Sequence, residues 1–276
     1  MGKNSKFFVW VKLLFVISWI NTSAQEDVSG SGKVDNKGQD PLEFSHPLIT
    51  ESVSPDTKIR LTFLDTKAKN NVLSQSYYLE LEYAPVPSFS IHMDVPYTVV
   101  NQTGNHSISN LDEIELTFKF ANFAFASHNI LLGYGIGVGL PSGDQAKGIG
   151  NNHIWDINPF FNGGIILKRW EWTAYFIFGI PSNQYRDENV STGLESRLTA
   201  LYHIGSRWEA LLEAGNATQI SHFHKGENSY DLTEGVKFRP DPDKPWIIAL
   251  GVRHPVFQNN ELKIQGIISV FYHFKD

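Results

Sequence analysis

From Lys58 to the C-terminus, apolar and polar residues alternate with a period of two in one segment after another, and this pattern restricts the fold more than any other feature of the chain. Ile59, Leu61 and Phe63 alternate with Arg60 and Thr62, and Tyr77, Leu79, Leu81 and Tyr83 with Tyr78, Glu80 and Glu82. Phe89 to Val99, Ile114 to Phe120, Leu198 to Tyr202, Trp208 to Leu212, Trp246 to Val252 and Leu262 to Phe274 continue the alternation. About twelve such segments run for roughly nine to twelve residues, the length at which a tilted strand crosses the hydrocarbon layer. Strands of soluble sandwiches are typically about five or six residues long. The pattern therefore predicts an all-β fold, an antiparallel transmembrane β-barrel of about 12 strands over residues 58–276.

The N-terminal region reads differently. Lys3 and Lys6 precede an apolar stretch from Phe7 to Ile20, and small residues follow up to Ala24. This is the pattern of a secretory signal peptide over residues 1–24. Residues 25–57 are polar at first and rich in Gly, Asp and Ser, and read as a flexible periplasmic lead-in or a plug. Within them, residues 26–45 show nothing that would pack against a core. After the leader the longest apolar run is Trp246–Val252, far below the roughly 20 residues of a spanning helix. No cysteine is present, which excludes disulfides and thiolate metal sites. With 29 acidic against 23 basic residues, no nucleic-acid partner is expected.

The connections alternate in length. Ala84–Pro87, Lys168-Arg169, His203–Arg207 and Pro240–Pro245 are short, whereas Asn101–Asn110, Ser142–Asn152, Ser182–Ser191 and Thr218–Ser229 are longer and polar. Short turns on one side and long loops on the other imply an even strand number with both termini on one side. Trp170, Trp172, Trp208 and Trp246 open strands directly after short turns, and Tyr272 and Phe274 close the last one. They are the expected membrane-interface aromatics, apolar at one end and able to hydrogen-bond at the other.

Positions on the polar parity face the lumen of such a barrel. They include Arg60, Glu80, Glu82, His92, Asp94, Glu115, Lys119, Glu195, Arg197, Glu209, Glu213, Lys237 and Arg239. These residues form either a solvated lining with salt bridges or a field that selects solutes. In LLGYGIGVGLPSG, residues 131–143, Gly133, Gly135, Gly137 and Gly139 occupy the same parity, opposite Tyr134, Ile136 and Val138. The spacing fits neither G-x-G-x-x-G nor a G-K-[ST] loop, and four glycines would weaken a helix by about 1 kcal/mol each. As a strand, it presents a bare lumen face that opposes bulky side chains, a folded-in N-terminal segment or a passing solute.

Chemistry is not called for by any motif. His92 and Asp94 share a face, as an acid–base pair would, but any two lumen residues two apart do so. His222-Phe223-His224 lies in an expected outer loop without a third ligand nearby, so no metal and no cofactor are assigned. None of the ten histidines is followed two positions later by Ser, and no G-x-S-x-G elbow occurs, so no catalytic residues and no enzyme activity are expected.

His46-Pro47-Leu48-Ile49-Thr50-Glu51 after a leader, followed by barrel-type strands, resembles the outer-membrane "MetA-pathway of phenol degradation" transporter-like proteins. Leu111-Asp112-Glu113-Ile114-Glu115-Leu116-Thr117-Phe118-Lys119-Phe120 resembles their G-x-G-D strand, with Ser109, Asn110 and Leu111 in place of the glycines. The resemblance implies a bacterial outer-membrane channel for small, hydrophobic or aromatic molecules. Its partners would be outer-membrane lipid and the barrel-assembly machinery, which reads a C-terminal aromatic residue, here Phe274 two residues before the end. The alternative is a closed structural or binding barrel that makes its contacts through the outer loops.

Overall fold

A computed structural model describes residues 42–69, 72–101, 107–182, 191–221, 225–257 and 262–274. The expected signal peptide, residues 25–41 of the lead-in, and His222–His224 lie outside them. The strands are β1 (Lys58–Ala68), β2 (Leu73–Val86), β3 (Phe89–Asn101), β4 (Ile108–Leu111), β5 (Glu115–Asn122), β6 (Ile130–Gly139) and β7 (Asp156–Leu167). They continue as β8 (Trp170–Pro181), β9 (Gly193–Ile204), β10 (Trp208–Gln219), β11 (Asn228–Phe238), β12 (Trp246–Phe257) and β13 (Leu262–His273). Sequence neighbours pair antiparallel, except that β4 and β5 both pair with β3, and β1 pairs with β13 from Lys58 opposite His273 to Lys67 opposite Ile264. The ring is closed, as backbone groups in hydrocarbon require, because lipid offers them no partner.

β4 and β5 both pair with β3 and are two pieces of one barrel strand, so the barrel has twelve strands. Pro96 causes the interruption. Its carbonyl accepts from the Asp112 N–H at 3.0 Å, but it has no N–H to give back. Ser142, in the loop after the glycine strand, repairs the gap: its hydroxyl donates to the Asp112 carbonyl at 2.9 Å and accepts from the Ile114 N–H at 2.8 Å.

The distribution of side chains is that of a soluble protein turned inside out. Leu61, Phe161 and Leu198 are at least half exposed on the outer surface, whereas Glu213, Lys119 and Lys237 are at most 1% exposed inside. Aromatic rings line the end where the short turns lie. Trp170 meets Tyr202 with centroids 4.7 Å apart, Trp208 meets Phe238 at 4.4 Å, and Trp246 meets Tyr272 at 4.7 Å. Phe274 packs edge-on against Tyr272 at 4.8 Å, and Trp172 stacks on Trp170 at 5.8 Å.

The four glycines of β6 face inward and back onto side chains of β5 and β7. A Cβ on Gly133 would meet the Asn162 amide at 2.0 Å, and one on Gly137 the Glu115 carboxylate at 2.4 Å. One on Gly139 would stand 3.1 Å from the Asp156 Cβ. At Gly135 it would stand 2.3 Å from both the Phe160 ring and the Phe118 carbonyl, where neither neighbour can retreat easily. Gly135→Ala should therefore destabilise the barrel by roughly 1–3 kcal/mol, the range for overpacking. Gly179→Ala, whose new Cβ has its nearest neighbour at 3.8 Å, should be close to neutral. Denaturant unfolding in detergent, followed by tryptophan fluorescence, separates the two.

Candidate functional site

The lumen holds residues 42–57 as well as the polar face of the strands. The described part of the lead-in is thus packed from Leu42 onward, and the expectation that residues up to 45 find no core fails at Phe44, which is 3% exposed. The physical reason is a wall shaped to receive it: a Cβ on Gly164 would stand 2.4 Å from the Phe44 ring. Leu48 is seated in the same way over Gly235 and Gly251, which face each other across β11 and β12, and a Cβ on either would lie 2.4 Å from its Cδ1. Around Leu48 lie Leu201, Leu211, Ile247, Ala249, Ile267 and Phe271. These apolar residues stand on the lumen parity and were not among the residues expected to line the interior.

A non-strand segment inside a barrel needs partners for its backbone. Glu213 supplies two, accepting from the Leu48 N–H at 2.6 Å and the Ile49 N–H at 3.2 Å, and its other oxygen accepts from the Thr50 hydroxyl at 3.4 Å. Glu171 accepts from the Ser45 N–H at 2.7 Å and its hydroxyl at 3.0 Å. Arg60 donates to the Leu48 carbonyl and lies 4.8 Å over the Phe271 ring. Asn162 and Lys119 reach the Ser52 carbonyl at 3.4 and 3.5 Å.

The remaining charges pair with one another, within and across strands, since an unpaired buried ion is costly. Lys58 bridges Glu80 at 2.6 Å and also contacts Glu82, and Arg60 reaches Glu80 at 3.3 Å. Lys119 holds Glu82 at 2.6 Å, and His92 meets Asp94 at 3.1 Å. Arg197 binds Glu195 at 2.7 Å and Asp231 at 2.8 Å, Arg253 holds the other Asp231 oxygen at 2.8 Å, and Lys237 pairs with Glu209 at 2.7 Å. Most of the charged lumen residues expected from the sequence are thus brought together in three groups of ion pairs, while Glu115 and Glu213 take hydrogen-bond donors instead. Arg239 stands apart, one residue past β11, its N–H bonded to the Arg207 carbonyl at the short turn. Lys58, Glu171, Asp231 and Asn162 belong to the same interior and were not singled out. The parity of their strands, or of the residues beside them, was the available signal.

Toward the long-loop end a cavity of about 390 Å³ opens beside Gly139, with Glu113, Glu115, Asp156 and Asn158 in its wall. Asn158 donates to Glu115 at 3.0 Å, and Asn151 donates to Glu113.

No known family's sequence profile matches the chain, and no curated protein matches it. Solved structures do. An outer membrane channel from Pseudomonas putida F1 superposes with a TM-score of 0.61 at 13% identity, covering 79% of this chain and 94% of that one. The KdgM porin in complex with disordered oligogalacturonate gives 0.54 at 10% identity, covering 79% and 100%. The NanC porin gives 0.55 at 10% identity, covering 79% and 99%. The likeness is one of fold: a closed antiparallel barrel of the outer-membrane type.

The seat of Leu48 yields a direct test. Gly251→Val fills it, and Glu213→Ala leaves two buried N–H groups without their acceptor, at about 1–3 kcal/mol each. A Glu-specific protease should cut at Glu51 at least about ten-fold faster in either variant than in the unaltered protein, while the barrel keeps its resistance to SDS at room temperature.

Proposed function

We propose that this chain is a bacterial outer-membrane channel for small solutes, its passage narrowed by residues 42–57. The observation that carries the reading is the inverted distribution of side chains, with paired charges inside a closed barrel and large apolar residues outside. The solved barrels with which it shares its fold include an outer membrane channel and two porins, which supports the same reading. The lining residues set which solutes pass, through a field of both signs between β1–β3 and β9–β12. Hydrophobic or aromatic solutes are the narrower class implied by the sequence resemblance. The charged wall favours polar ones, since the apolar patch of β9, β10, β12 and β13 is covered by Leu48.

On this reading residues 1–24 direct export, the tryptophan row sits at headgroup level, and the assembly machinery inserts the barrel with both termini in the periplasm. No step of chemistry is assigned to the protein, and neither a cofactor nor nucleic acid enters the account. A closed barrel with a structural or binding role is the second reading, favoured by the side chains of residues 42–57 that occupy the lumen.

Planar-bilayer recording and liposome uptake on the full chain distinguish the two. The channel reading predicts discrete single-channel steps together with uptake of small polar solutes. Silence in both assays would leave the closed barrel.

The acidic wall of the outer cavity should weigh on ion preference. Reversal potentials in a salt gradient should move away from cation preference in Glu113→Gln and in Asp156→Asn, each of which removes a carboxylate from that wall.

A further inference from the structure

We propose that His46, Asp56 and His273 form a site for a divalent transition-metal ion of the zinc class, which fastens the N-terminal segment to the strand that closes the barrel. The three donors come from separate places: His46 from the segment in the lumen, Asp56 from its end just before β1, and His273 from the last residue of β13. Asp56 Oδ2 lies 3.2 Å from His46 Nε2 and 2.5 Å from His273 Nδ1. All three ligand atoms lie within 4.8 Å of one another. Ligand bonds of about 2.0–2.2 Å in a tetrahedron place donor atoms about 3.3 Å apart, so His46 Nε2 already stands at that spacing from Asp56 Oδ2, and His273 Nδ1 needs to draw back by less than about 1 Å to admit the ion.

The donor set is chemically suited to such an ion. Two imidazoles and one carboxylate match zinc and its neighbours, and three protein ligands leave the fourth position open to water. Asp56 Oδ1 accepts from the Thr57 N–H at 2.7 Å, which fixes the direction of Oδ2, the usual work of an outer-shell partner. His46 Nε2 and His273 Nδ1 converge on the same oxygen, Asp56 Oδ2, so two imidazoles and a carboxylate are gathered about one point. The nearby Lys58 charge is taken up by Glu80 and Glu82 and does not stand unpaired against a cation.

The consequence is a clasp. Asp56 and His273 are 217 positions apart in sequence, and the Phe274 N–H donates to the Thr57 carbonyl at 2.9 Å beside them. An ion here would join residues 46, 56 and 273 where β1 meets β13.

The full chain in detergent, stripped with a chelator, is titrated with Zn²⁺ by calorimetry and with Co²⁺ by visible absorption. One equivalent should bind, with the intense cobalt bands of four- or five-coordination, and Zn²⁺ should raise the thermal midpoint. Asp56→Asn and His273→Gln should each weaken binding at least about ten-fold, as should His46→Gln, while all three keep the barrel's resistance to SDS. The double variant His222→Gln/His224→Gln should bind as the unaltered protein does. The proposal is overturned by an absence of stoichiometric binding, by a weak six-coordinate cobalt spectrum, or by binding that survives Asp56→Asn and His273→Gln.

Discussion

β1 is hydrogen-bonded to β13 from Lys58 opposite His273 to Lys67 opposite Ile264, and this seam joins the first strand to the last. Without it two sheet edges would present unpaired N–H and C=O groups to hydrocarbon, at several kcal/mol for each group. The closure fixes everything inside. Once the ring is complete, alternate residues have no choice but the lumen, and the period of two becomes a sorting of side chains into an apolar exterior and a charged interior. The break in the ladder at Pro96 is patched by the Ser142 hydroxyl and is not left open to lipid.

An interior lined with Lys, Arg and Glu would be costly if left unpaired and dry. Here the charges are matched, Lys58 with Glu80 and Glu82 on the neighbouring strand, and Lys119 with Glu82 and Arg197 with Asp231 across an intervening strand. The chain then uses the same wall to hold its own N-terminal segment. Glu213 and Glu171 accept its N–H groups, Arg60 donates to its Leu48 carbonyl, and a pair of glycines on β11 and β12 makes room for its leucine. The polar wall therefore serves two ends, as a lining that water can wet and as a set of hydrogen-bond partners for a segment with no strand to pair with.

Much of this was legible in the sequence. The alternation and segment length gave the barrel, and parity placed Arg60, Glu80, Lys119, Glu213 and Lys237 inside. The glycine stripe of β6 was readable as a bare face, and its neighbours are bulky side chains, Asn162 and Phe160 among them. The seating of residues 42–57 was not readable. Phe44 and Leu48 belong to no periodic run, and their partners lie on strands more than a hundred positions away, Leu48 and Glu213 being 165 apart. Parity is also not the same as polarity in this lumen. Leu211, Ile267 and Phe271 sit at lumen positions, but apolar side chains there are informative only once something apolar is known to cover them.

The central claim is the sorting of β13 between lipid and a filled lumen, and the absence of cysteine allows single spin labels to be placed along this strand without background. In liposomes, labels at positions 264, 268 and 270 should be open to dissolved oxygen and closed to a polar nickel complex. Labels at 267 and 271, beneath Leu48, should be shielded from both. Accessibility that does not alternate along the strand, or free access of the nickel complex at 267 and 271, would contradict the account.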